Sequence, residues 1–144
     1  YIDLDNFKYC NDTFGHDIGD LMLKKLSSLF TEIVGDKGYC VRYGGDEFII
    51  VLPGSSTEFG IKISKQIYKK IEENGYFIND IANALKRPIE IDAQHRISCS
   101  IGISTSQKYN QESIMECLKH ADSALYDIKK GTKHDFKVWQ KVQK

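Results

Sequence analysis

The sequence predicts an α+β domain in which helices pack on a sheet. Three observations carry that expectation. Short stretches of strict alternation, such as "YIDLD", sit among longer stretches of helical period, such as Ile18, Met22, Leu26, Leu29 and Ile33. The two kinds do not follow each other one for one, as a parallel βαβ chain would require. Finally, 144 residues with 41% hydrophobic and 11% aromatic content are enough for one core in one domain.

The elements follow in order. Tyr1–Asp5 alternates as a strand, with Ile2 and Leu4 on one face and Asp3 and Asp5 on the other. "NFK", Asn6 to Lys8, leaves that strand for a helix, and the stripe from Ile18 to Ile33 ends near "GDKG". "YCVRY" and "EFIIVL" are rich in strand formers and flank Gly44-Gly45, a pair suited to a tight hairpin turn. Ser56 to about Glu73 is a capped helix, and Phe77 to Lys86 a second helical piece that ends ahead of Pro88. "IEID" and "RISCSIGIS" read as paired strands, the latter with Ile97, Cys99, Ile101 and Ile103 on one face. Gln111 to Lys130 is a helix with Ile114, Leu118, Ala121, Leu125 and Ile128 inward, and "FKVW" closes as a short strand.

Charge narrows the function. Lys plus Arg and Asp plus Glu each number 20, so the net charge is zero and a phosphate ligand must be held locally. A general polyanion binder is usually basic, so nucleic acid is not an expected partner. The cysteines Cys10, Cys40, Cys99 and Cys117 show no CxxC pairing and no His at zinc spacing. Free thiols in a reducing cytoplasm are the expectation, whether or not the parent protein is anchored to a membrane elsewhere. No apolar run approaches the roughly 20 residues of a membrane span. Because the chain opens directly on a strand, the expectation is a single domain over 1–144, truncated at its N-terminus and cut from a larger multidomain protein.

"RYGGDEFII" poses a chemical question. Asp46 at a hairpin tip is an ordinary turn acid when read alone, but Glu47 beside it begins an apolar strand. A sheet that set the first strand beside this hairpin would bring Asp3 close to Asp46. Two like charges about 4 Å apart at an effective dielectric near 20 repel by roughly 4 kcal/mol. A domain stable by about 5–15 kcal/mol would not keep that for packing alone. A divalent cation reverses the sign, and oxygen ligands without His or Cys select a hard ion, Mg²⁺ or Mn²⁺. Hard ions usually complete their shell with substrate phosphates. The helix start at Asn6 and the Lys8 ammonium could hold those phosphates. Read singly, Lys8 is a surface lysine, Asp20 an acid favouring a helix N-terminus, and His16 a capping or packing residue; Asn11 and Asp20 lie off the apolar stripe.

Four blocks, "DLDNFKYCNDTFGHDIGD", "RYGGDEF", "SIGIS" and "ADSALYDIKK", occur in the order and spacing of GGDEF domains, the diguanylate cyclase family, which the chain resembles from Tyr1 to about His134. The resemblance implies a fold like that of class III nucleotide cyclases, a central, mostly antiparallel sheet wrapped by helices. It implies that Asp3, Asp46 and the Leu4 carbonyl ligate Mg²⁺. Lys8 and the amides of Asn6 and Phe7 would hold the β- and γ-phosphates, with Lys8 also steadying transition-state charge as a catalytic residue. Asn11 and Asp20 would read the guanine edge, with His16 at the same pocket. Gly44 and Gly45 would admit the nucleotide to the backbone. Asp46 or Glu47 would help remove the 3′-hydroxyl proton, and Lys129 would contact phosphate. The implied activity joins two GTP into cyclic di-GMP across a transient homodimer, because one domain holds one GTP. The alternative is a catalytically inactive GTP-binding regulatory module that controls an attached domain.

The chain departs from the family pattern in two places. Gly35 and Gly38 stand where many members carry the arginine and aspartate of an RxxD inhibitory site, so feedback through that site is not expected. Lys133 stands where the family has arginine, which keeps the charge and loses the bidentate fork. "ALKRPIEID" resembles GGDEF domains that precede an EAL phosphodiesterase domain, an expected neighbour together with an upstream sensory domain.

Overall fold

The structure, a computed structural model, describes residues 1–107, 111–131 and 133–141. Its strands are β1 (Ile2–Asp5), β2 (Tyr39–Arg42), β3 (Glu47–Val51), β4 (Ser98–Ile103) and β5 (Phe136–Val138). Its α-helices are α1 (Phe7–Phe14), α2 (His16–Val34), α3 (Thr57–Glu73), α4 (Ile78–Leu85) and α5 (Gln111–Lys129). The described strands form one sheet in the order β2-β3-β1-β4-β5. Every pairing is antiparallel except β4 with β5. The α+β class and the mostly antiparallel sheet are therefore as the sequence implies.

Alternation in β1 divides the sheet into two faces. Ile2, Leu4, Phe48, Cys99 and Ile101 enter one core with Ile18, Met22, Leu26 and Phe30 of α2 and Ile63, Ile67 and Ile71 of α3. Phe30 meets Phe48 edge to face at 5.3 Å between ring centroids. The stripe read from the sequence is buried at Ile18, Met22, Leu26 and Leu29, while Ile33 only borders the core. On the other face α5 lies against β4. A Cβ on Gly102 would come 1.9 Å from the Ala121 carbonyl oxygen, so only glycine permits that approach.

Three local expectations are corrected. "IEID" is not a strand: Pro88 has no N–H to offer a ladder, and Asp92 caps the short turn Ala93–His95 by accepting the amides of Gln94 and His95. Ile91 still packs inward, so the segment is anchored without pairing. Ile114 of α5 is 53% exposed instead of inward. It lies two helical turns, about 10 Å, before Ala121, where it lines a cavity with Leu118, Ile101 and Ile103. Gly44-Gly45 does not form a two-residue turn with positive φ, since neither glycine has one. Tyr43 and Gly44 instead both donate to the Glu47 carbonyl, which leaves a wider loop.

Candidate functional site

The centre of the sheet sets the acids side by side. Because β1 lies between β3 and β4, Asp3 stands opposite Glu47 on one side and Ser100 on the other. The Leu4 amide donates to the Asp46 carbonyl at 3.0 Å, which ties the hairpin loop to β1 directly after Asp3. The loop is braced from below by Arg42. Its Nε donates to the carbonyls of Gly44 and Gly45, each at 3.1 Å, and its Nη2 to Gly45 at 2.7 Å. A Cβ on Gly44 would meet the Glu47 carboxylate at 2.8 Å, whereas one on Gly45 would extend into open space. Glu47 accepts the Tyr1 hydroxyl at 3.4 Å.

Behind Asp3 lies a cluster that the sequence did not announce. Asp5 is 1% exposed and accepts Ser100 Oγ at 2.9 and 3.0 Å and the His134 amide at 3.1 Å. Lys129 Nζ bridges Asp3 at 2.5 Å and Asp5 at 3.0 Å, and His134 Nδ1 lies 3.3 Å from Asp5. Burial pushes the Asp3 carboxyl above its usual range; Lys129 pulls it back, while Asp46 and Asp5 push it further. Burial works against the Lys129 charge too, but its bonds to Asp3 and Asp5 prevail and leave it above the ordinary lysine value. A half-buried carboxylate beside two others needs a cation, and Lys129 supplies one. The signal carried by the sequence was modest: alternation put Asp5 on the face of Asp3. Ser100 opens the "SIGIS" block but was given no role there, and His134 had no signal.

The β1–α1 turn is sharp. Asn6 holds φ 64 and ψ 17 at the helix start. The first amide to bond back along the helix is that of Cys10, to the Asn6 carbonyl at 3.0 Å. The amides of Phe7 and Lys8 thus have no acceptor within the helix. The Lys8 side chain is exposed beside them. Gly15, at φ 96, then breaks the path so that α2 returns against α1.

That return brings Asn11 onto Gly19: a Cβ there would lie 1.8 Å from Asn11 Oδ1. Asn11 Oδ1 is buried and has no hydrogen-bond partner. Asp20 follows Gly19 and shares a side of α2 with His16, one turn earlier; both are exposed. The discrimination expected of Asp20 therefore depends on a base covering it. Lys133 is exposed at φ 50, next to the His134 that meets Asp5. The structure thus gathers Asp3, Leu4, Asn6, Phe7, Lys8, Asp46, Glu47 and Lys129 around β1, with Asn11, His16 and Asp20 at the α1–α2 junction.

Among the described residues no group of three His, Cys, Asp or Glu side chains is placed to hold a metal. Asp3 and Asp46 offer two carboxylates, and a hard ion that retains waters and takes phosphate oxygens asks for no more protein carboxylates than that. No helix among the described residues is long and apolar enough to cross a membrane.

Known proteins resemble this chain over most of its length. A diguanylate cyclase from Vibrio cholerae is 35% identical over 130 residues, which cover 90% of this chain and 36% of that protein. The signaling protein YkoW of Bacillus subtilis is 32% identical over 96% of this chain and 16% of its own length. The chain thus spans about a third or less of these relatives. The solved active GGEEF domain of a diguanylate cyclase from Vibrio cholerae superposes with a TM-score of 0.72 at 29% identity, covering 97% of this chain and 80% of that one. An EAL/GGDEF domain protein from M. capsulatus superposes with a TM-score of 0.66 at 29% identity, covering 97% and 82%. The family described as diguanylate cyclase, GGDEF domain, matches residues 1–135, and this chain belongs to it.

Proposed function

We propose that this domain condenses two molecules of GTP into cyclic di-GMP and pyrophosphate, each of two facing copies holding one nucleotide. The observation that carries the reading is the placement of Asp46 against β1 directly beside Asp3, next to the unbonded amides of the β1–α1 turn. The relatives named diguanylate cyclase support the reaction class.

Asp3, Asp46 and the Leu4 carbonyl would hold Mg²⁺ or Mn²⁺, which when bound neutralises charge on the triphosphate. The amides of Asn6 and Phe7 and the Lys8 ammonium would orient the β- and γ-phosphates. Lys129, already poised on Asp3, would add positive charge at the same end, and Lys133 could serve the partner's phosphates. Asn11 Oδ1 is a buried acceptor without a donor, and the guanine N–H groups would supply one. Asp20 would accept the remaining guanine donors, with His16 at the pocket rim. Gly45 would leave room for the ribose and α-phosphate at the loop.

In each half-reaction the 3′-oxygen of one GTP bonds to the α-phosphorus of the other. The α–β phosphoanhydride bond breaks, pyrophosphate leaves, and the hydroxyl proton passes to Asp46 or Glu47. The parent protein would couple this domain to a sensory or EAL partner, as the EAL/GGDEF neighbour encourages.

Incubating the full chain with GTP and Mg²⁺ while measuring pyrophosphate and cyclic di-GMP tests the reading. Both products are expected in a one-to-two ratio of dinucleotide to pyrophosphate. GTP that binds and survives intact would instead assign a regulatory nucleotide sensor.

A further inference from the structure

We infer that the Asn6 side chain is a positioning residue: with the turn before β4 it forms a clasp that holds the β1–α1 amides in place for phosphate. The inference rests on the proposed nucleotide reading of the site and concerns a feature outside it, residues Asp92 to Arg96.

A non-glycine residue at φ 64 is uncommon, although Asn tolerates the left-handed region better than most. Something must over-determine that conformation. Asn6 Nδ2 donates to two carbonyls far along the chain, Gln94 at 2.9 Å and Arg96 at 2.8 Å. Both amide protons are thereby used, and an aspartate of the same shape could donate neither.

The accepting turn is itself restrained. Asp92 accepts the backbone amides of Gln94 and His95 at 3.0 and 3.2 Å and pairs with the His95 ring at 2.7 Å. The His95 ring stacks on Tyr9 at 4.2 Å between centroids, with an interplanar angle of 22°. Arg96 lies over the Tyr76 ring at 4.9 Å. The turn therefore grips the start of α1 at two points, Asn6 and, one helical turn on, Tyr9.

The same turn runs straight into β4, whose Ser98 and Ser100 stand opposite Asp5 and Asp3. Phosphate amides and acids are thus referenced to one rigid strand. Holding the amides in their bound orientation beforehand removes an ordering cost from nucleotide binding, and small misplacements of such groups are costly in rate.

A clasp that merely stabilises the fold would weaken all ligands equally or none. The full chain with Mg²⁺ is therefore titrated with a GTP analogue bridged by a non-hydrolysable α–β group and, separately, with GMP, which lacks the β- and γ-phosphates. Asn6→Gly permits the same backbone conformation without strain and retains the backbone amide, while deleting both clasp bonds that hold it there. It is expected to lose about tenfold in affinity for the triphosphate and to leave GMP affinity unchanged. Asn6→Asp should lose at least as much, since it donates no hydrogen bond. His95→Ala, at the more exposed outer contact, provides the reading should the Asn6 variants fail to fold, with about a threefold loss expected on the same ratio. An unchanged ratio of triphosphate to GMP affinity in folded variants would overturn the clasp and leave the nucleotide reading standing. A wild-type chain that does not prefer the triphosphate to GMP would overturn the phosphate site itself.

Discussion

Asp46 and Asp3 show how one residue acquires a role from its neighbours. Each is an unremarkable acid along the chain, yet Asp46 helps to raise the Asp3 carboxyl after burial has done most of it. Asp46→Asn removes one of these like charges. It is expected to leave the melting temperature of the metal-free protein unchanged or higher, while pyrophosphate release falls by about a hundredfold or more. Melting that drops by many degrees would show that Asp46 is a packing acid.

The Asp3 carboxyl also sets a pH dependence. Its native affinity for protons exceeds that of the unfolded chain, so stability drains away as pH rises from about 4 through the native titration, then levels off. Asn at position 3 has no such titration. Asp3→Asn should therefore gain in melting temperature relative to the wild type across that interval, with a constant gap beyond it. A gap that narrows as pH rises would mean that the folded protein lowers the Asp3 carboxyl and that Lys129 outweighs burial.

At the scale of elements, the helical stripes and the acid-bearing strand and hairpin were readable because periodicity survives in local sequence. α2 buries Ile18, Met22, Leu26 and Leu29 of its expected stripe, with Ile33 at the border of the core. The misreadings lie where a neighbour decides. "IEID" has strand-forming residues but no strand to join, and Ile114 at the start of α5 lines a cavity instead of filling the core. Gly38 is a different case: its backbone lies so close to β3 that a Cβ would come 2.1 Å from the Val51 carbonyl oxygen. Restoring the acidic residue of the RxxD pattern there, Gly38→Asp, should cost roughly 2 kcal/mol or more through forced displacement of that strand edge. Chemical denaturation would measure it, and added cyclic di-GMP should not recover the loss. A variant of wild-type stability would mean that β2 and β3 can separate at that point at little cost.

For the whole molecule, the proposed reading gives one domain one set of phosphate and guanine groups. On that reading two copies would bring two GTP molecules face to face. Specific activity should rise in proportion to domain concentration when copies are dilute, then saturate as dimers fill. A specific activity independent of concentration over a hundredfold range in which the chain sediments as a monomer would place both nucleotides on one chain and sink the half-site reading. The zero net charge offers no long-range repulsion against such an encounter.

Local sequence determined the residue chemistry, the helical and strand periods and the four family blocks, because each depends on neighbours a few positions away. Tertiary structure alone decided that Asp5 would share Lys129 with Asp3, that Asn11 Oδ1 would be buried without a donor, and that Asn6 would reach the turn before β4. Those contacts join residues up to 126 positions apart. Those of Asp5 and Asn6 follow from β1 lying between β3 and β4, and that of Asn11 from the break at Gly15 that turns α2 back on α1. Strand order is set by how the whole chain buries its apolar faces, and no short window of sequence contains that information.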